Sequence, residues 1–171
     1  ADYQSIKVPI EFQNEKDRRY EHVIQRLKDI RTAELAYKNK YQKYTASMDS
    51  LTWFVSKDSI EVIKAFGEVP DTMTLEVAIK ANIVTRDTIM VSVYDTLFGP
   101  HHMDDRAHKF VLDSLGIVPF SNSGKFTLEA GTVVRSGAKV PVFQATDGAP
   151  FDKNDVKKVG SLNDPKTNGN W

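Results

Sequence analysis

The 171-residue chain contains no cysteine. That excludes a disulfide framework, a thiolate zinc site and a cysteine nucleophile. Nor is there a surplus of charge, since 23 basic residues balance 23 acidic ones. A nucleic-acid binder needs a basic excess, so no nucleic-acid partner is expected. No run of 18 apolar residues occurs, so these residues hold no membrane-spanning helix. A phosphate-cradling loop, a dinucleotide fingerprint and a Gly-x-Ser-x-Gly elbow are also missing, and no cofactor is implied. What is present, 40% apolar and 27% charged residues, describes one ordinary globular domain that buries about two-thirds of its unfolded surface.

The stretch ADYQSIKVPIEF has no basic start followed by an apolar run, so it is not a signal peptide. Pro9 is expected to separate a short irregular lead from a long helix over 12–44. Tyr20, Val23, Leu27, Ile30, Ala33, Tyr37 and Tyr41 step by threes and fours along one face of that helix. Glu34 and Lys38 read as an i,i+4 pair on the outer side. About 33 residues make a helix near 50 Å long, longer than the body it packs on. Residues 11–22 carry almost no apolar stripe, so that end is expected to protrude. The domain reading is therefore a stalk over 1–19, leading from a missing N-terminal anchor, and one domain over 20–171.

Residues 47–55 read as a short helix capped by Ser47, with Leu51, Phe54 and Val55 turned inward. Residues 59–66 fit strand or helix, 67–71 a turn, and 74–81 a short helix capped by Thr72 or Thr74. Strands are expected over 88–94, 115–120, 125–130, 132–135 and 140–145, with a hairpin turn over 136–139. Gly148 onward is polar and reads as weakly structured. Helix first and strands later imply an α+β fold: a long N-terminal helix packed on an antiparallel sheet, with short additional helices.

Four patterns bear on chemistry. Ser136-Gly137-Ala138-Lys139 has the Ser-x-x-Lys spacing of penicillin-binding enzymes, but it sits in the expected hairpin turn and lacks the companion motifs. His101, His102, Asp104, Asp105 and His108 form the densest polar cluster, and two imidazoles with a carboxylate can hold zinc. Gly99-Pro100 opens that segment, which favours a solvated loop over a pre-organised site. Asp147, Asp152, Asn154 and Asp155 begin like a calcium loop, yet Val156 stands at the next donor position. The candidate metal residues are thus His101, His102, His108, Asp147, Asp152 and Asp155, with turn formation the preferred reading. Trp53 and Trp171 have the side chains to stack on sugars, although core packing is expected for Trp53 and tail docking for Trp171.

The fourth pattern is Asp-(Ser/Thr)-apolar, which occurs six times among 15 aspartates, more than independent placement predicts. Asp, Ser and Thr favour turns and caps, which supplies one explanation. The tripeptide also resembles the O-glycosylation acceptor that Bacteroidetes bacteria use on exported proteins. That resemblance would make Ser50, Ser59, Thr72, Thr88, Thr96 and Ser114 acceptors where they are exposed.

RLKDIRTAELAYKNKYQKYTASMDSL (26–51), GEVPD (67–71), RDTIMVSVYDTLF (86–98) and VGSLNDPKTNGNW (159–171) resemble an uncharacterised cell-envelope protein family of Bacteroidetes. Its members begin with an N-terminal membrane helix. More distantly, Ala36, Tyr37, Tyr44, Thr45 and Leu51, within residues 20–55, resemble pilins and pseudopilins. Those carry a long N-terminal helix, a loop and an antiparallel sheet. The resemblance implies a non-enzymatic membrane-anchored envelope protein, acting as a scaffold or pilin-like assembly subunit. It would face the periplasm or the outside and reach the membrane through a segment absent from this chain. Its partners would be other envelope proteins or further copies of itself. The alternative is an extracytoplasmic binding module for a glycan or metal ion.

Overall fold

The computed structural model describes residues 2–102 and 104–171, and the side chains of 9–100, 102 and 104–171. The fold is α+β, as the element order predicts, but it holds two antiparallel sheets instead of one. Helix α1 spans Asp2–Tyr41, which at 1.5 Å per residue is about 60 Å. Pro9 lies inside it and does not separate a lead; it removes one backbone bond without ending the helix. Tyr20, Val23, Leu27, Ile30 and Ala33 are buried, as the periodicity requires, but the stripe fades at its end: Tyr37 is half-buried and Tyr41 is exposed. The helix stops at Tyr41 because Gln42 takes a left-handed φ of 63° while its N–H donates to the Lys38 carbonyl at 2.7 Å.

Two polar residues of α1 depart from the expected pattern. Glu34 does not pair outward with Lys38: it is fully buried, and its Oε1 accepts the Thr45 N–H at 3.0 Å. Burial pushes its carboxyl up to about 8. The 11–22 end is not a bare stalk. Phe12 stacks on Phe151 at 5.1 Å, and the Arg19 guanidinium lies 4.5 Å from the same ring. Aromatic and cationic side chains hold this end, which is why an aliphatic stripe is not needed.

Helix α2, Met48–Lys57, follows its sequence closely: the Ser47 hydroxyl accepts the Ser50 N–H, and Leu51, Phe54 and Val55 are buried. Trp53, on the opposite face, is 57% exposed and does not enter the core. Strand β1 (Ser59–Phe66) pairs antiparallel with β2 (Thr85–Ser92), and the short helix α3 (Leu75–Lys80) lies between them in sequence, capped by Thr74. Strand β2 starts earlier than expected and ends at Ser92, whose side chain caps helix α4 (Val93–Phe98). Short 3-10 turns follow over Pro100–His102 and Leu112–Ser114.

Residues 115–120 are not a strand. They touch Lys125 through a single bridge at Ile117, and Phe120 and Ser123 adopt positive φ in a turn. The expected strands 125–130 and 132–135 are one strand, β3 (Phe126–Arg135). It returns as β4 (Ala138–Asp147) through Ser136 and Gly137, with φ of 52° and 78°, the two-residue hairpin that Ser-Gly favours. Strand β5 (Lys158–Gly160) extends the sheet in the order β3-β4-β5, so the tail is structured. Gly160 (φ 78°) must be glycine, because a Cβ there would sit 2.2 Å from the Phe143 carbonyl oxygen. Trp171 docks the end of the chain, its ring lying over Gly169 and 5.7 Å from the Arg31 guanidinium.

One core joins α1, α2, α4 and the three-stranded sheet. Leu27, Ile30, Phe54, Phe98, Phe110, Leu115, Phe143 and Val159 belong to it. On β4 the inward positions alternate through Phe143, Ala145 and Asp147, so strand register alone buries the last carboxylate.

Candidate functional site

The histidine-rich segment is split by the fold. His108 leaves the loop and stacks on His22 of α1, ring centroids 5.1 Å apart and 12° from parallel. The two Nδ1 atoms are 2.9 Å apart, and the Phe120 ring meets His22 edge-on at 5.2 Å. Arg26 Nη2 lies 3.5 Å from His108 Nε2, and a guanidinium can only donate. His108 therefore accepts at Nε2, carries its proton on Nδ1 and donates it to His22 Nδ1. Burial first, then the Arg26 charge and the second imidazole, hold His108 down to about 4. Next to it, Arg106 grips buried Asp29 with bonds of 2.9 and 2.6 Å, and its Nε donates to the His108 carbonyl at 3.0 Å.

His102, Asp104 and Asp105 instead line a cleft of about 360 Å³ with Lys28, Asp29 and Arg106. The His101 side chain lies outside the described residues. Among the described residues, no three His, Asp or Glu side chains gather closely enough to hold one metal ion. Of the zinc candidates His101, His102 and His108, the last is thus engaged by His22 of α1 while His102 lines the cleft.

The calcium reading of Asp147, Asp152 and Asp155 is displaced by a side chain. Lys16 Nζ of α1 sits 2.9 Å from Asp152 Oδ2 and 3.0 Å from Asp155 Oδ2. Lys157 holds the other Asp155 oxygen at 3.0 Å, and Asp152 Oδ1 accepts the Asn154 N–H. Hydrogen bonds from Lys16 lower both carboxyls and raise the lysine. Asp147 stands apart, its Oδ1 taking the Ala149 N–H at 2.8 Å, and burial raises its carboxyl.

The six Asp-(Ser/Thr) motifs have local structural work. Asp49, Asp95 and Asp113 fall in first turns of helices, where a carboxylate faces the positive end of the helix dipole. Asp58 closes α2 and accepts the Ser59 N–H, Asp71 lies in a turn, and Asp87 faces Lys64 across β1–β2. Ser50, Thr72 and Thr88 are exposed; Ser59, Thr96 and Ser114 are half-buried, and the Thr96 hydroxyl donates to the Ser92 carbonyl. Ser136 and Lys139 occupy the β3–β4 hairpin.

A further group of exposed apolar side chains lies on the β1–β2 ribbon. Ile60, Val62 and Phe66 share one face with Ile89 and Val91; Ile63 and Met90 are on the other. Ile63 is 69% and Met90 56% exposed, and β1 contains no buried residue. Ala78 and Val84 are buried but stand outside the main core. The ribbon is moored at its root, where the Val93 N–H donates to the Asp58 carbonyl and Lys40 grips Asp58 at 2.6 Å. Between this root and α1 runs a cleft of about 810 Å³, lined by Leu35, Ala36, Ile60, Met90 and Leu97 among others.

Sequence reasoning missed His22, Asp29, Arg106 and Lys16 as partners, since each acts across 77 or more residues of chain. The available signals were small: His22 as the one histidine outside the cluster, and Asp29 beside the apolar stripe. Among the described residues no helix is long and apolar enough to cross a membrane. No family model, no curated protein and no solved structure matches the chain.

Proposed function

We propose that the chain is a non-enzymatic assembly subunit of a cell envelope, held at the membrane by a segment outside these residues and joined to further copies of itself through the β1–β2 ribbon. The single observation that carries the reading is the ribbon: two strands with both outer edges unpaired among the described residues and apolar side chains on both faces. A two-stranded sheet is marginal alone, and free edges with apolar side chains seek another strand. A second copy fits better than a charged partner. The net charge is zero, so copies do not repel, and the ribbon's Lys64 and Asp87 already face each other across the strands. The envelope address comes from the sequence resemblance and stands with it.

The test is sedimentation velocity of the full chain across a concentration series from about 1 μM to about 1 mM, the range of ordinary subunit contacts. The expected result is reversible self-association that Ile63→Asp with Met90→Asp abolishes without lowering the melting temperature. A chain that stays monomeric throughout, or an association indifferent to those substitutions, overturns the reading.

A further inference from the structure

The structure assigns a saccharide-binding subsite to the aromatic cleft between the end of α1 and the first turns of α2, independently of the assembly reading. Tyr37, Tyr41, Asp49, Ser50, Trp53 and Phe54 line an open cleft of about 470 Å³, within the range of small-ligand sites. Trp53 and Tyr41 are the exposed aromatic members, while Phe54 forms the buried floor. Tyr37 and Tyr41 meet at 4.7 Å, and both contact the Phe54 ring. The platform is pre-set rather than loose. The Tyr41 hydroxyl donates to Asp58 Oδ2, and Asp58 is fixed in turn by Lys40 and by the Ser59 N–H. A ligand need not order these rings, which is where binding free energy is otherwise lost.

The polar rim identifies the chemistry. Asp49 offers carboxylate acceptors, the Ser50 hydroxyl both donates and accepts, and Trp53 Nε1–H only donates. None of the three side chains has a hydrogen-bond partner of its own among the described residues, although Ser50 uses its backbone N–H on the Ser47 cap. Apolar ring faces beside a mixed set of donors and acceptors match a pyranose, which has apolar C–H faces and equatorial hydroxyls of both kinds. The competing occupant of an aromatic pocket with a carboxylate is an organic cation. Two features oppose it. The Lys40 ammonium already lies 5.6 Å from the Tyr41 ring, and the first turn of α2 presents the positive end of its dipole beside Asp49 and Ser50.

The experiment uses the full chain carrying Trp171→Phe, so that tryptophan emission reports Trp53 alone. It is titrated with cellohexaose, chitohexaose, maltohexaose and tetramethylammonium chloride. A saturable emission change with at least one hexasaccharide, at a Kd of about 1 mM or tighter, is expected. Calorimetry with that saccharide should lose its heat in Trp53→Ala and weaken about tenfold in Tyr41→Ala, while Ile63→Asp binds as the parent does. Trp53 is exposed, so Trp53→Ala should fold, and its melting curve checks this. No emission change with any hexasaccharide overturns the subsite. So does a response to tetramethylammonium alone, or saccharide heat undiminished in folded Trp53→Ala.

Discussion

The body and the ribbon invert each other. In the body, carboxylates stand where a core residue belongs: Asp29, Glu34 and Asp147 are all buried. In the ribbon, Val62, Ile63, Phe66 and Met90 face solvent. Residue type therefore does not settle burial; the number of neighbouring layers does. A residue on the inward face of α1 or β4 is covered by the shared core, whatever its chemistry. A residue on β1 has one strand beside it, and Glu61 to Phe66 are all exposed. The body must then meet the cost of its polar residues with partners, which Arg106 supplies for Asp29 and the Thr45 N–H supplies in part for Glu34.

The largest expected effect is in the body. Phe54→Ala removes a fully buried ring that meets Tyr37 and Tyr41, and should cost about 3–5 kcal/mol by urea unfolding. A loss below about 1 kcal/mol would mean that the α1–α2 contact is no better packed than the ribbon.

The buried acid and the half-buried imidazole give the body a two-sided pH dependence. Glu34 has its folded value raised to about 8 from 4.5, so the folded state binds its proton more tightly. Its stabilising contribution is full below about 4.5 and is lost as pH rises to about 8, on the order of 5 kcal/mol. His108 is depressed from 6.5 to about 4, so its contribution is present above about 6.5 and is lost as pH falls towards 4. Solvent contact holds that second effect to about 1 kcal/mol. Glu34→Gln should flatten the alkaline limb of a stability–pH curve, and His108→Gln the acid limb. Unaltered limbs would show that neither group is coupled to folding.

The sequence was legible where structure is local. The α1 stripe, the Ser47 cap and the Ser136-Gly137 turn each depend on residues within a few positions of one another, and the fold keeps all three. It was misleading where a local pattern is overruled by a distant partner. Glu34 next to Lys38 looks solvent-facing until Thr45 folds back onto it. The three clustered histidines suggest a centre, but His108 is drawn to His22 across 86 residues. The acidic loop resembles a cation site because it is one, and the cation is Lys16.

The N-terminal contact sharpens where the body ends. Phe12→Ala removes the stack on Phe151 and should cost about 1 kcal/mol, the usual worth of a half-exposed aromatic pair. Hydrogen exchange should show faster exchange over 150–155 in the same variant. No change in either would return residues 11–15 to the status of an overhang, and the boundary between body and stalk would fall at Lys16, which Asp152 and Asp155 hold.

The smallest effect belongs to the ribbon and is the most discriminating. Ile63→Ser with Met90→Ser replaces two exposed side chains on one face of the ribbon, outside the core. Each should alter stability by no more than about 0.5 kcal/mol. For a chain of this size that is about 2–4 °C per kcal/mol, so the double variant should melt within a few degrees of the parent in dilute solution. Backbone amides of β1 and β2 should exchange faster than those of β3 and β4, because the ribbon opens without disturbing the core. A loss of more than about 2 kcal/mol would mean that these side chains are covered in the monomer. The ribbon would then be a second wall of the body, and the inversion between the two regions would disappear.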